Sequence, residues 1–89
     1  MPISIYSEAK RSTWKTSLCE SEWELPKQVP ALEAWLKKNK KKLKPGRYVA
    51  DIGFMVRKDA GGGGSALSPA MLRTMADLKM SLFLSEYRR

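Results

Sequence analysis

The feature that most constrains the fold is the run of residues 47–58, RYVADIGFMVRK, in which apolar side chains recur at every second position. Successive side chains of a β-strand point to opposite faces of a sheet, so such a run buries one face and leaves the other to smaller or polar side chains. The run therefore predicts a strand of a sheet that helices cover on one side only. The side chains assigned to the covered face are those of Tyr48, Ala50, Ile52, Phe54 and Val56.

Shorter alternating runs occupy residues 3–7 and 13–19 and predict two further strands. The polar residues 8–11 between them are few enough to form a hairpin connection. In the second strand, the side chains predicted to share one face are those of Trp14, Thr16 and Leu18.

The last segment, residues 80–87, has a pattern that fits two structures. On a helix, Leu82, Phe83 and Tyr87 would form one apolar stripe. As a strand, the segment alternates Met80, Leu82 and Leu84 against serines. The alternation over this length favours the strand.

A first helix is predicted from Pro30, because a proline suits the first helical turn, where a backbone N–H has no partner. The acidic residues 20–26 before it, which end in proline, predict an extended link. The sequence Lys-Pro-Gly at residues 44–46 ends the helix. The apolar stripe of this helix consists of Leu32, Trp35, Leu36 and Leu43.

A second helix is predicted over residues 68–78. Ser68 is a favourable N-cap and Pro69 suits the first helical position. Leu67 can contact Leu72 across the cap, as in a hydrophobic staple. The order of elements is then β-β-α-β-α-β. Residues 1–89 are predicted to form a single α+β domain, with a mostly antiparallel sheet and two helices on one face.

The glycine-rich loop at residues 60–66 contains GGGGS and connects the strand at 47–58 to the second helix. The loop formally matches the G-x-G-x-x-A pattern of dinucleotide-binding turns. That motif places its last small residue inside the first turn of a helix, whereas here the helix begins later and Pro69 removes one N–H donor. The ordered cap behind the loop favours a native connection over the other interpretation, a cloned linker.

The 89 residues include no histidine and one cysteine, Cys19, which excludes an internal disulfide and every histidine-based triad. No catalytic residue, metal ligand or cofactor site is therefore predicted. The acidic residues Glu20, Glu22 and Glu24 are predicted to form a charged edge that discourages sheet association. The sequence shows neither a membrane-spanning apolar run nor the apolar region of a signal peptide, and a cytoplasmic protein is expected.

A net charge of +8 favours an anionic partner, and six lysines within eight positions carry much of it. A solvated helix face is the ordinary interpretation of such a run. A docking surface for an acidic protein and a contact surface for nucleic-acid phosphates are the functional alternatives. Trp23, in the polar link, is a candidate interface anchor. The lysines assigned to partner binding are Lys37, Lys38, Lys40, Lys41, Lys42 and Lys44.

Residues 47–87 resemble the C-terminal part of a bacterial family catalogued as domain of unknown function forty-two seventy-nine. Leu67-Ser68-Pro69 is similar to the family's helix start, and residues 80–87 are similar to its final strand. The upstream residues 12–36 resemble its tryptophan-containing strand and following helix. The family has an additional N-terminal strand–helix unit, for which this chain has no counterpart.

The resemblance implies a small bacterial or phage protein without enzymatic activity, of the kind found near toxin and immunity functions. The expected function is therefore binding and inhibition of another protein, as by an immunity protein or a phage-borne inhibitor of a host defence system. Nucleic-acid binding through the same lysines is the alternative. The missing unit also suggests an open sheet edge, with residues 3–7 as a candidate, through which a homodimer would form.

Overall fold

The computed structural model describes residues 2–9 and 15–88. Six elements follow one another in the predicted order: β1 (Ile3–Ser7), β2 (Lys15–Leu18), α1 (Leu25–Asn39), β3 (Tyr48–Met55), α2 (Pro69–Asp77) and β4 (Met80–Tyr87). The α+β class and the β-β-α-β-α-β order are confirmed, and the final segment is a strand. The domain measures 17 Å along its shortest axis, as expected for one sheet with one layer of helices.

The four strands form one sheet in the order β2-β1-β3-β4. β1 pairs antiparallel with both β2 and β3, whereas β3 and β4 are parallel. The sheet is mostly antiparallel, as predicted, with one parallel pair because α2 carries the chain back across the sheet. β1 has a neighbour on each side, so residues 3–7 are not an edge. The edges are β2 and β4.

The core lies between the sheet and both helices. Ile3, Ile5, Ala50 and Ile52 are fully buried on the covered face, which confirms the face assigned to the central residues of β3. Val56 lies beyond the end of β3 and is exposed, since the strand ends at Met55 rather than continuing to residue 58. The helices contribute Val29, Leu32, Leu36, Met71, Met75 and Leu78.

The start of α1 differs from the prediction, because the helix begins at Leu25, within the segment expected to be extended. Pro26, not Pro30, occupies the first turn. Pro30 lies inside the helix, where it lacks the N–H that would bond to the carbonyl of Pro26. The sequence contains two prolines that both suit a helix start, and the earlier one is used.

The end of α1 also comes earlier than predicted. The side-chain amide of Asn39 donates to the carbonyl oxygen of Trp35 (2.9 Å), and Lys42 N–H donates to the carbonyl oxygen of Asn39 (2.9 Å). The last helical bond joins Lys40 N–H to the carbonyl oxygen of Leu36 (2.8 Å), and the bond from Lys42 closes a turn after it. Leu43, assigned to the helical stripe, packs partly buried against the core from the loop that follows.

Gln28 joins α1 to the sheet. Its side chain is fully buried, and Nε2 donates to the carbonyl oxygens of Glu22 (2.7 Å) and Gly53 (2.8 Å). Both carbonyls lie where β3 extends past the start of β1 and has a strand partner only on its other side, in β4. Among the described residues, Gln28 Oε1 has no hydrogen-bond partner. The amide therefore satisfies two backbone acceptors while leaving its own acceptor without a donor.

The second helix agrees closely with the prediction. Ser68 caps it by accepting a hydrogen bond from Met71 N–H (3.1 Å), and Pro69 is the first helical residue. Ser68 Oγ also donates to Glu33 Oε2 of α1 (2.8 Å). The cap thus connects the two helices. Leu72, expected to contact Leu67 across the cap, is half exposed.

Candidate interaction surface

The predicted lysines lie at the end of the domain where α1 and α2 finish and where β3 and β4 begin. Lys37 and Lys38 are in the last turn of α1, and Lys40 is its C-cap. The other three lie in the following turn and loop rather than on the helix, because α1 ends at Asn39. All six side chains are exposed. Lysines at a helix C-terminus interact favourably with the helix dipole, which gives this sequence a local structural role as well.

Arg73 of α2 adds a seventh cation to this end. A groove of about 440 Å³ separates the C-terminal parts of the two helices, and Arg73 lines it together with Lys40 and Lys41. The sequence carried no signal for Arg73, since its position depends on how α1 and α2 pack. We define the basic end as Lys37, Lys38, Lys40, Lys41, Lys42, Lys44 and Arg73.

The cations of the basic end have no carboxylate partner within the described parts of the chain, where the single ion pair joins Lys27 to Glu24 (3.9 Å). Two acidic side chains nevertheless lie nearby. Asp77 lines the groove, and Glu33 lines a smaller neighbouring cavity with Lys37 and Lys40. The surface is therefore strongly but not uniformly cationic.

Trp23 does not belong to the basic end. Its carbonyl oxygen accepts a hydrogen bond from Met55 N–H (2.9 Å), so it lies beside the last residue of β3, at the opposite end of the strand from the lysines. Its ring contacts that of Tyr87 edge-on, with the centroids 5.6 Å apart. Trp23 is half buried, and its backbone bonds to β3 beyond the start of β1. The structure thus gives it a packing role at a separate position.

Cys19 and the neighbouring glutamates lie in the turn after β2. Cys19 is half buried with a positive φ of 53°, and burial, together with the charge of Glu22, raises the pKa of its thiol. A higher pKa means less thiolate at neutral pH and a weaker nucleophile. Glu22 Oε2 accepts a hydrogen bond from Glu24 N–H (3.1 Å), whereas Glu20 is exposed to solvent. The glutamates line the turn and link between β2 and α1, where the carbonyl of Glu22 is one of the two that Gln28 bonds.

The glycine-rich loop forms one wall of a shallow apolar groove of about 180 Å³. Gly62, Gly63 and Gly64 have positive φ values, which glycine adopts at no steric cost. No side chain crowds their Cα atoms, so the conformation rather than space requires glycine here. Leu25 and Phe54 also line this groove. Helix α2 begins at Pro69, five residues after Gly64. The glycines therefore do not lie at the first turn of a helix, as they would in a dinucleotide-binding motif.

The chain matches no known family model, no curated protein and no solved structure. The resemblance to the family of unknown function therefore stays a prediction. In the described ranges, no helix has the length and apolar content needed to span a bilayer. No cluster of three or more potential metal ligands occurs among residues 2–9 and 15–88 either.

Proposed function

We propose that the chain is a non-catalytic cytoplasmic interaction protein that binds another protein and neutralises it, as immunity proteins and phage-borne inhibitors of host defence do. The basic end is the binding surface and an acidic protein face is its partner. The observation that carries this proposal is a set of exposed cations on two helices and a loop, none of them engaged by a carboxylate within the described residues. Such a field raises the association rate with an anionic surface and orients the encounter.

The mixed chemistry of the basic end favours a protein over a polyanion. Asp77 and Glu33 line its grooves and would repel phosphates, whereas a protein partner can present a lysine or arginine to each of them. The cations are mostly lysines, which act as point charges and lack the planar fork with which arginine recognises phosphates. No aromatic side chain is among the residues that line the groove with Lys40 and Lys41, so a base would find no stacking surface there.

Charge reversal at Lys38, Lys41 and Lys42 tests this proposal. We expect the triple glutamate variant to lose a stoichiometric protein partner that the parent chain captures from cells of its source. A matched variant with Lys15, Lys58 and Arg88 changed to glutamate carries the same net charge and should keep the partner. Association with the purified partner should slow as ionic strength rises, and the partner's own activity should fall on binding. Equal loss of binding in both variants would refute a localised surface.

Nucleic-acid binding is the second candidate, because the same unpaired lysines also suit phosphates. The two variants discriminate here as well. Affinity for random DNA or RNA that falls steeply with salt, and that disappears only in the variant with Lys38, Lys41 and Lys42 reversed, would favour nucleic acid over protein. Weak binding that both variants lose to the same degree would reflect net charge alone.

A further inference from the structure

Among residues 2–9 and 15–88, no strand pairs with the outer edge of β4, the last strand of the sheet. Tyr48 N–H donates to the carbonyl oxygen of Lys79 (3.3 Å), and this bond fixes which residues of β4 face β3. In a parallel pair, the backbone groups of alternate residues point toward the neighbouring strand. The odd-numbered residues of β4 therefore bond to β3, and the even-numbered residues, Met80 to Glu86, direct N–H and C=O groups outward.

Apolar side chains line this edge on both faces of the sheet. Leu84, on the helix side, is 50% exposed, and Phe83, on the open face, is 56% exposed. Leu84 is uncovered because α2, with nine residues, spans about 14 Å, whereas β4, with eight, spans about 26 Å. Leu72 of α2 is 52% exposed, and helical geometry places it on the side of α2 opposite Ala70 and Thr74, which line the cavities next to α1. Edge strands of monomeric proteins are usually short, charged or interrupted by proline, and β4 contains one charged residue and no proline.

We propose that the edge of β4 binds β4 of a second copy, antiparallel and about a two-fold axis, to give a continuous eight-stranded sheet. The two-fold axis passes between the Phe83 residues of the two copies. Leu82 then lies opposite Leu84 of the second copy, on the helix side. Ser81 lies opposite Ser85 on the open face. All outward backbone groups from Met80 to Glu86 become hydrogen-bonded.

Two linked conditions limit the register. The helix layers of both copies must lie on the same side of the joined sheet, and outward backbone groups must meet outward groups. Both conditions are met only when even-numbered residues face even-numbered residues. Among the allowed registers, the one centred on Phe83 is the only one in which all four outward residues of β4, Met80, Leu82, Leu84 and Glu86, pair with outward residues of the second β4. Moving the axis by one residue in either direction leaves Met80 or Glu86 opposite a residue outside β4.

The charge distribution favours the antiparallel arrangement with a second copy. The net charge of +8 would oppose self-association if the basic ends met. In the antiparallel dimer the basic ends lie at opposite extremes of the joined sheet. Each basic end instead lies on the same side as the end of β3 in the other copy. There, the acidic residues Glu22, Glu24 and Asp59 accompany basic residues.

The size of the surface places the proposed interface among the small ones, which include many weak complexes. A strip as long as β4, about 26 Å, and as deep as the 17 Å domain has a projected area of about 440 Å². Accessible surface exceeds its projection, so each copy buries an area near the 600 Å² or so that small specific interfaces require. We therefore expect a micromolar dimer.

Sedimentation velocity over increasing concentration tests the dimer, and Leu84→Lys tests the interface. Leu84 is half exposed, so the variant should keep the parent's circular dichroism spectrum while its dissociation constant rises at least about tenfold. Ser17→Lys, on the opposite edge strand, should leave the dimer unchanged. Reversal of Lys38, Lys41 and Lys42 should also leave it unchanged, which separates this interface from the proposed partner surface.

Single cysteines in a Cys19→Ser background test the register. Directly opposite residues of a non-hydrogen-bonded antiparallel pair have Cα atoms about 4.5 Å apart, within disulfide range. Phe83→Cys should therefore cross-link under mild oxidation, and Leu84→Cys should not. A mass equal to one chain at every concentration would overturn the proposal, as would a dimer that persists in Leu84→Lys. Preferential cross-linking of Leu84→Cys would overturn the register.

Discussion

Replacing Gln28 with leucine should lower the free energy of unfolding by about 2 kcal/mol. The substitution removes the two hydrogen bonds from Nε2 and leaves the carbonyl oxygens of Glu22 and Gly53 without that donor. An unsatisfied buried acceptor costs about 1–3 kcal/mol, so the two losses amount to about 2–6 kcal/mol. The change also removes the buried Oε1, which has no partner among the described residues, and this relief offsets about 1–3 kcal/mol. Urea unfolding, followed by tryptophan fluorescence, measures the difference.

Gln28→Glu is the matched variant, since it keeps the shape and replaces the donor with a carboxyl group. Burial against two carbonyl oxygens raises the pKa of that carboxyl in the folded state above its unfolded value. The folded state then binds more protons, so the variant is most stable relative to the parent below the unfolded pKa and loses stability as pH rises toward the folded pKa. Leucine at this position should show no such pH dependence. A leucine variant as stable as the parent, or a glutamate variant whose deficit is independent of pH, would refute the assigned role of Nε2.

Three further changes test other contacts. Ser68→Ala removes the cap of α2 and should cost about 1 kcal/mol in thermal unfolding, whereas Ser65→Ala in the exposed loop should have no effect. Gly53→Ala places a Cβ 2.9 Å from the ring of Tyr87 and should destabilise the parent by displacing that ring, but in a Tyr87→Ala background it should be neutral or stabilising. Because its pKa is raised, Cys19 should react with iodoacetamide more slowly in the folded chain than in urea at neutral pH, and Glu22→Gln should accelerate the folded-state reaction.

The order and class of the elements followed from local patterns because those patterns are strong in this chain. The alternation in β3 and β4 and the cap of α2 are short-range signals that packing did not override. The predicted start of α1 was wrong because Pro26 and Pro30 both satisfy the rule for a helix start and the local pattern does not choose between them. The position of β1 inside the sheet depends on pairing between distant segments, which periodicity does not encode.

The candidate surfaces were predictable to different degrees. Exposure of the lysines followed from their charge, but their grouping with Arg73 required the packing of α1 against α2. The separation of Trp23 from the lysines also required the structure, because it results from the bond to Met55 at the far end of β3. The exposure of Leu84 depends on the length of α2 relative to β4, a comparison that no single segment contains.

The tetraglycine connection is also a position at which residues could be inserted into this domain. Gly61, Gly62 and Gly63 have open space around them, so added residues would displace no neighbour. A sequence that extended α2 backward by two turns could therefore be accommodated without disturbing the hydrogen bonds between β3 and β4. The longer helix would cover Leu84, and this side chain would become part of the core. A chain with the longer helix would lose the proposed dimer interface and would be stable as a monomer.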